Sequence, residues 1–223
     1  MKTVLVVAAH PDDEALGCGG TIIRHVERGD KVYAVFIADG VSSRSGISPE
    51  VLTLRNDAAE KARKLLGISK TFFLGLPDNR LDGISILDVI QRLESIIKVV
   101  MPNIIYTHHH GDLNIDHRIT YQAVLTACRP TPESSIHAIY AFEVISSTEW
   151  NSQLENAFFP NHYIEISNYL DAKLKAIEAY SLEMRDKPHS RCIEHVSHLA
   201  HHRGYSVGVE AAEAFVTVRT LSI

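Results

Sequence analysis

Val4-Leu5-Val6-Val7-Ala8-Ala9-His10-Pro11-Asp12-Asp13-Glu14 is the stretch on which the reading of this chain turns. Its apolar half has the length and composition of a strand buried on both faces, as in a parallel sheet. One imidazole and three carboxylates follow where that strand must end. In open α/β sheets, ligands collect at the carboxyl ends of strands. Imidazole and carboxylate are also donor types that suit a divalent metal such as zinc. Location and chemistry therefore point to the same edge of a sheet.

Outward from this stretch, apolar runs alternate with amphipathic ones. Strands are predicted at 3–8, 32–37, 71–74, 103–107 and near 137–144, and helices at 15–28, 49–66, 85–99 and 118–128. In the second helix Val51, Leu54, Ala58, Ala62, Leu65 and Leu66 recur at helical spacing, and Gly67 is the stop. The βαβα order predicts an α/β fold with a mostly parallel sheet flanked by helices. Beyond Pro160 a helix at 169–182, a His-rich helical stretch to Gly204 and a strand at 214–219 predict a C-terminal helical lobe. Residues 1–223 read as one domain, without an internal repeat or low-complexity linker.

Composition narrows the function. A formal net charge of −5 argues against nucleic acid or an anionic membrane as partner. The three cysteines, Cys18, Cys128 and Cys192, are scattered and odd in number, which favours a reducing compartment over a disulfide framework. Lys2 ahead of an apolar run superficially suits a signal peptide, but the run is short and leads straight into the acidic cluster. No stretch reaches the roughly 20 apolar residues of a membrane span. A cytoplasmic protein is expected.

A second polar cluster runs from Thr107 to Arg118, with His108, His109, His110, Asp112, Asn114, Asp116 and His117, behind the fourth strand. Two strand-end clusters converge if their strands are neighbours. His10, Asp13 and one histidine of the second cluster would then supply the three-ligand, open arrangement of a catalytic zinc.

Ala9-His10-Pro11-Asp12-Asp13-Glu14 together with Asp116-His117-Arg118 resembles the PIG-L/LmbE-like family of zinc-dependent N-acetylglucosaminide deacetylases. Leu54-Arg55 leading to Gly67, Leu76-Pro77-Asp78, Arg203-Gly204 and Ala212-Glu213-Ala214-Phe215 extend the resemblance over nearly the whole chain. It implies a Rossmann-like α/β sheet, Zn2+ held by His10, Asp13 and His117 (with other divalent metals able to substitute), and Asp12 as general base. It implies hydrolysis of an N-acetyl group by a zinc-activated water or hydroxide, an amino-sugar substrate, and a homo-oligomer. Zinc lowers the pKa of bound water to about 7, and a carboxylate beside a ligand can take its proton. Pro11 restricts His10 to extended backbone, and Glu14 is a candidate partner for a ligand.

Where many members carry an oxyanion-stabilising histidine, this chain has Asn114, whose amide donates a hydrogen bond but carries no charge. Either Asn114 serves as a neutral donor or one of His108–His110 reaches in; Asp116 then needs a partner other than that histidine. Arg55 and Asp78 are substrate contacts by resemblance, or each equally a member of a surface ion pair. Asp39, after the second strand, joins them by position alone. Val41–Ser48 has the composition of a loop and could serve as a lid.

Three further features have bland rivals. His195, His198 and His202 share a helical face with Cys192, and a solvated or interface face is the favoured reading over a second metal. Gly17-x-Gly19-Gly20 does not follow the strand directly, so close helix–sheet packing is preferred to dinucleotide binding. Trp150 is either a sugar platform or an anchor. The rival functions are a zinc amidohydrolase acting on a non-sugar or differently acylated amide, and a non-enzymatic metal-binding module.

Overall fold

The computed structural model describes residues 1–44, 48–151 and 156–222. β1 (Thr3–Ala8) lies inside the sheet, and Val4 through Ala9 are wholly shielded from solvent. The chain leaves through α1 (Asp13–Glu27) to β2 (Lys31–Ala38) and through α2 (Pro49–Leu66) to the edge strand β3 (Lys70–Leu76). Helix α3 (Ile86–Val100) returns it to the other side of β1, where β4 (Ile104–His108), α4 (Ile115–Ala127) and β5 (Ala138–Phe142) follow. The remainder forms β6 (His162–Glu165), α5 (Leu170–Glu178), α6 (Ile193–Tyr205) and β7 (Ala212–Thr220).

Among the described residues these strands make one seven-stranded sheet, β3-β2-β1-β4-β5-β7-β6. Strands β1 to β5 are parallel, and β7 is antiparallel to both β5 and β6. Successive side chains of a strand face opposite sides. Val4, Val6 and Ala8 accordingly enter a core with α1, α2, α5 and α6, whereas Leu5 and Val7 enter a second core with α3 and α4.

The direction of winding reverses between β1 and β4, the switch point at which open α/β sheets hold their ligands. In register, Val7 pairs with Thr107. The residues at or just past the end of each strand, His10 on one and the cluster beginning at His108 on the other, therefore emerge side by side.

The helix and strand predictions correspond to observed elements with boundary shifts of a few residues. The predicted C-terminal helices are α5 and α6, and β7 extends the sheet beside β5. β6 was not expected: it has only four half-buried or exposed residues and pairs with β7 alone, so it leaves no alternating pattern to read. Gly67 ends α2 in the left-handed region at φ 74°, as expected of a stop residue. A Cβ on Gly17 would lie 2.3 Å from the Phe142 ring, and one on Gly20 2.8 Å from Ile166, so both glycines serve close packing. Unanticipated was a break in α1 at Cys18, where φ is −148°.

Candidate metal centre and active cleft

His10 and Asp13 come from the β1–α1 turn and His117 from the first turn of α4. Each offers a donor atom, and the three lie within 4.8 Å of one another, all buried. Asp13 Oδ2 is 3.4 Å from His10 Nδ1 and 3.4 Å from His117 Nε2. Asp13 Oδ1 and His117 Nε2 are buried without a hydrogen-bond partner, as expected of donors awaiting a cation.

The far side of each imidazole faces carboxylates. His10 Nε2 lies 3.1 Å from Asp116 Oδ2 and 3.0 Å from Asp78 Oδ1. His117 Nδ1 lies 3.1 Å from Asp112 Oδ2, close enough to pair though angled away from a straight hydrogen bond. This carboxylate–histidine arrangement commonly fixes the tautomer and orientation of metal-ligating imidazoles. It leaves His10 Nδ1 and His117 Nε2 facing Asp13, and the donor set fits a divalent ion such as zinc.

Two other groupings overlap this one: His108 with Asp112 and His117, and His10 with Asp78 and Asp116. In the first, His108 Nε2 already accepts the Ala9 N–H at 2.8 Å, and its ring stacks on His117 with centroids 3.9 Å apart. His108 is thus a wall of the site. His109 instead accepts the Gly111 N–H, and His110 packs near Tyr121.

Burial opposes the charged form of His117, but Asp112 and Asp13 outweigh it and raise its pKa to about 9. Burial likewise opposes charging of His10, and Asp116, Asp13 and Asp78 reverse that effect. Burial would raise Asp13, yet His117 and His108 hold its carboxyl well below the usual range. Burial, by contrast, lowers the pKa of the neighbouring His108 to about 3.

Asp12 sits between the two donors of the first turn at φ 123°, a conformation a non-glycine residue rarely adopts. Its backbone N–H donates to Glu14 Oε2 at 3.0 Å, and Tyr180 holds the other oxygen of Glu14 at 2.6 Å. Glu14, a candidate for contacting a ligand, instead braces this turn. Asp12 Oδ2 accepts from Arg191 at 2.7 Å and lies 3.3 Å from Arg55, whereas Oδ1 has no hydrogen-bond partner. Burial raises the Asp12 pKa, and Arg55 and Arg191 reverse this only in part.

Asn114 is the N-cap of α4, its Oδ1 accepting the Asp116 N–H at 2.8 Å. That leaves its amide nitrogen, which donates to Asn79 Oδ1 at 3.2 Å. Asp116 finds its partners in His10 and the backbone N–H groups of Asn79 and Leu81. Arg55 is buried and lies 2.6 Å from Glu183 as well as beside Asp12, and Asp78 is buried too, so neither forms a surface ion pair. Asp78, besides facing His10, accepts from Ser43. Asp39 does not line the cleft; its Oδ1 accepts the N–H groups of Val41 and Ser42, which shapes the loop.

The cleft above the donors has a volume of roughly 280 Å³, with His10, Asp12, Arg55, Asp78, Asn114 and Arg191 in its lining. Trp150 stands at this wall, half exposed and edge-on to His189. Of the Val41–Ser48 segment read as a lid, residues 45–47 lie outside the described residues; Arg44 pairs with Glu183. On α6, His198 and His202 are exposed, and no potential metal group among the described residues includes the C-terminal histidines.

Sequence reasoning missed Arg191, Glu183, Tyr180 and the role of Asp112. Asp112 stands five residues before His117 in a cluster already quoted, so its signal was present. Arg191 and Glu183 lie in the connection between α5 and α6, with no local pattern to mark them.

Residues 5–128 match the family described as PIG-L: GlcNAc-PI de-N-acetylase. A protein of Escherichia coli strain K12, described as the uncharacterized deacetylase YaiS, is 32% identical over 185 residues, covering 80% of this chain and 90% of its own. The 4-oxalmesaconate hydratase of Pseudomonas putida is 27% identical over 198 residues, covering 79% and 72% respectively. The solved structure of the N,N'-diacetylchitobiose deacetylase from Pyrococcus horikoshii shares the fold, with a TM-score of 0.81 and 23% identity over 98% of this chain and 84% of that one. The turn after β1, the helix start at Asp116-His117 and the similarity along the sequence agree: this chain belongs to the PIG-L family of de-N-acetylases.

Proposed function

We propose that the protein is a zinc-dependent hydrolase that removes the N-acetyl group from an amino sugar of the N-acetylglucosamine type, free or within a glycoconjugate. The observation that carries this reading is the convergence of His10, Asp13 and His117 within 4.8 Å beside a carboxylate, Asp12, that has one oxygen unpartnered. The family description and the chitobiose deacetylase, with the same fold, support the amino-sugar class.

Zinc bound by His10, Asp13 and His117 would lower the pKa of water and polarise the amide carbonyl. Arg191 and Arg55 fix Asp12 Oδ2, so Oδ1 is the oxygen positioned to take the proton of the attacking water and pass it to the leaving amine. The raised Asp12 pKa makes it a stronger base. Asn114, at the cleft wall, offers its amide N–H to the developing oxyanion as a neutral donor. Asp116 keeps the His10 ring in place, and Asp78 and Arg55 line the cleft where sugar hydroxyls would lie.

A second reading, hydration of an unsaturated polycarboxylate, draws on Arg44, Arg185 and Arg191 in the cleft and on the hydratase relative. The test is acetate release from a panel of N-acetylglucosaminides before and after zinc removal. Release that chelation abolishes and zinc restores is the expected result. No release from any member, with loss of absorbance from an unsaturated dicarboxylate, would establish the hydratase reading instead.

A further inference from the structure

Helix α1 is broken at Cys18, directly after the turn that carries Asp13 and Glu14. In an unbroken helix the Gly20 N–H would donate to the Leu16 carbonyl four residues earlier. Here each end of that bond is served from elsewhere. The Gly20 N–H donates to Glu213 Oε1 at 2.9 Å, and the Leu16 carbonyl accepts from Lys173 Nζ at 2.9 Å. Lys173 Nζ in turn donates to Glu213 Oε1 at 2.6 Å, and Glu213 Oε2 accepts the Thr21 N–H at 2.7 Å. An ion pair thus meets both groups of that helical position, and Glu213 takes the next N–H, that of Thr21, as well.

Both members are almost fully buried, at 4% exposure each. Lys173 comes from α5 and Glu213 from β7, so the C-terminal third of the chain grips the helix that follows the first strand. The fit is close: a Cβ on Gly19 would lie 3.2 Å from Lys173 Cγ. A buried ion pair is weak as a source of stability, because desolvation offsets its attraction; its best use is to specify geometry. The geometry set here is the tilt of the turn Asp13–Gly17 against the remainder of α1.

We propose that Lys173 and Glu213 are positioning residues for the candidate metal centre. Their ion pair holds the first turn of α1 at the angle that faces Asp13 toward His10 and His117 and presents Asp12 to the cleft. This rests on the reading of His10, Asp13 and His117 as metal ligands. It gives Glu213, within the Ala212–Phe215 segment, a task at a site whose residues it does not touch.

The test is the zinc dissociation constant of Glu213→Gln, measured by competition with a chromogenic chelator, alongside thermal melting and kcat and KM. Gln keeps the shape and one acceptor but loses the charge and the second acceptor. Zinc affinity is expected to fall by about 10–100-fold, the range seen when partners of ligands are altered. Melting should remain cooperative, and kcat should fall more than KM changes. Lys173→Arg, which keeps the charge with a differently shaped head, should give a smaller loss and carries the same measurements if Glu213→Gln does not fold. Wild-type zinc affinity and kcat in the folded variants, whatever their melting temperature, would overturn the proposal. A wild-type protein that binds no zinc would instead overturn the ligand assignment beneath it.

Discussion

Asp116, in the first turn of α4, accepts the Nε2 proton of His10, which stands past the end of β1, at 3.1 Å. The same carboxylate takes the backbone N–H groups of Asn79 at 2.7 Å and Leu81 at 3.1 Å. One side chain thus ties three segments at the carboxyl edge of the sheet and sets the direction of a candidate ligand. In Asp116→Asn the acceptor left for His10 is neutral and the anchor is weaker. Zinc affinity should fall by about 10–100-fold, read by chelator competition; unchanged affinity would remove Asp116 from the metal site.

Arg191 reaches Asp12 Oδ2 at 2.7 Å and Ser146 Oγ at 2.7 Å, which aims the carboxylate. Arg191→Met keeps much of the side-chain volume and removes both hydrogen bonds. Acetate release should show kcat reduced by roughly 10–100-fold, the scale of a misplaced catalytic group, with zinc content unchanged.

In the metal-free protein, His117 carries a pKa of about 9. A folded-state pKa above the unfolded value of about 6.5 contributes stability in full below that value, and the contribution fades as pH rises through the folded pKa. Melting of chelator-treated protein should therefore decline between about pH 6.5 and 9 relative to the zinc-loaded form, in which His117 is already neutral. Parallel melting curves for the two forms across this window would contradict the assignment.

Gly17 and Gly83 provide a packing test. The Gly17 Cβ would fall 2.3 Å from the Phe142 ring, whereas Gly83 has nothing within 4 Å. Gly17→Ala should cost about 1–3 kcal/mol through overpacking, while Gly83→Ala changes urea stability little.

The parallel sheet and the candidate donor cluster were legible because they rest on local signals. Val4–Ala9 is a buried run, and His10 and Asp13 follow it within a few residues; the reversal at β1 and β4 then dictates that the cluster containing His117 lies alongside. Asp39 also sits at a strand end, but position there does not give side-chain direction, and its carboxylate turned to the Val41 and Ser42 amides. Arg191, Glu183 and the Lys173–Glu213 pair reach their targets across the fold, so nothing near them in sequence announces their partners. The break at Cys18 was equally hidden, because the two side chains that meet the backbone groups around it are remote in sequence.

The central claim is that His10, Asp13 and His117 hold the metal while Asp12 handles the proton of the attacking water. Its most direct test is zinc content and acetate release measured together on Asp12→Asn. The account predicts a full complement of zinc with kcat lowered by about 10²–10⁴-fold, the usual contribution of a general base. Full activity with zinc bound, or loss of the zinc itself, would contradict it.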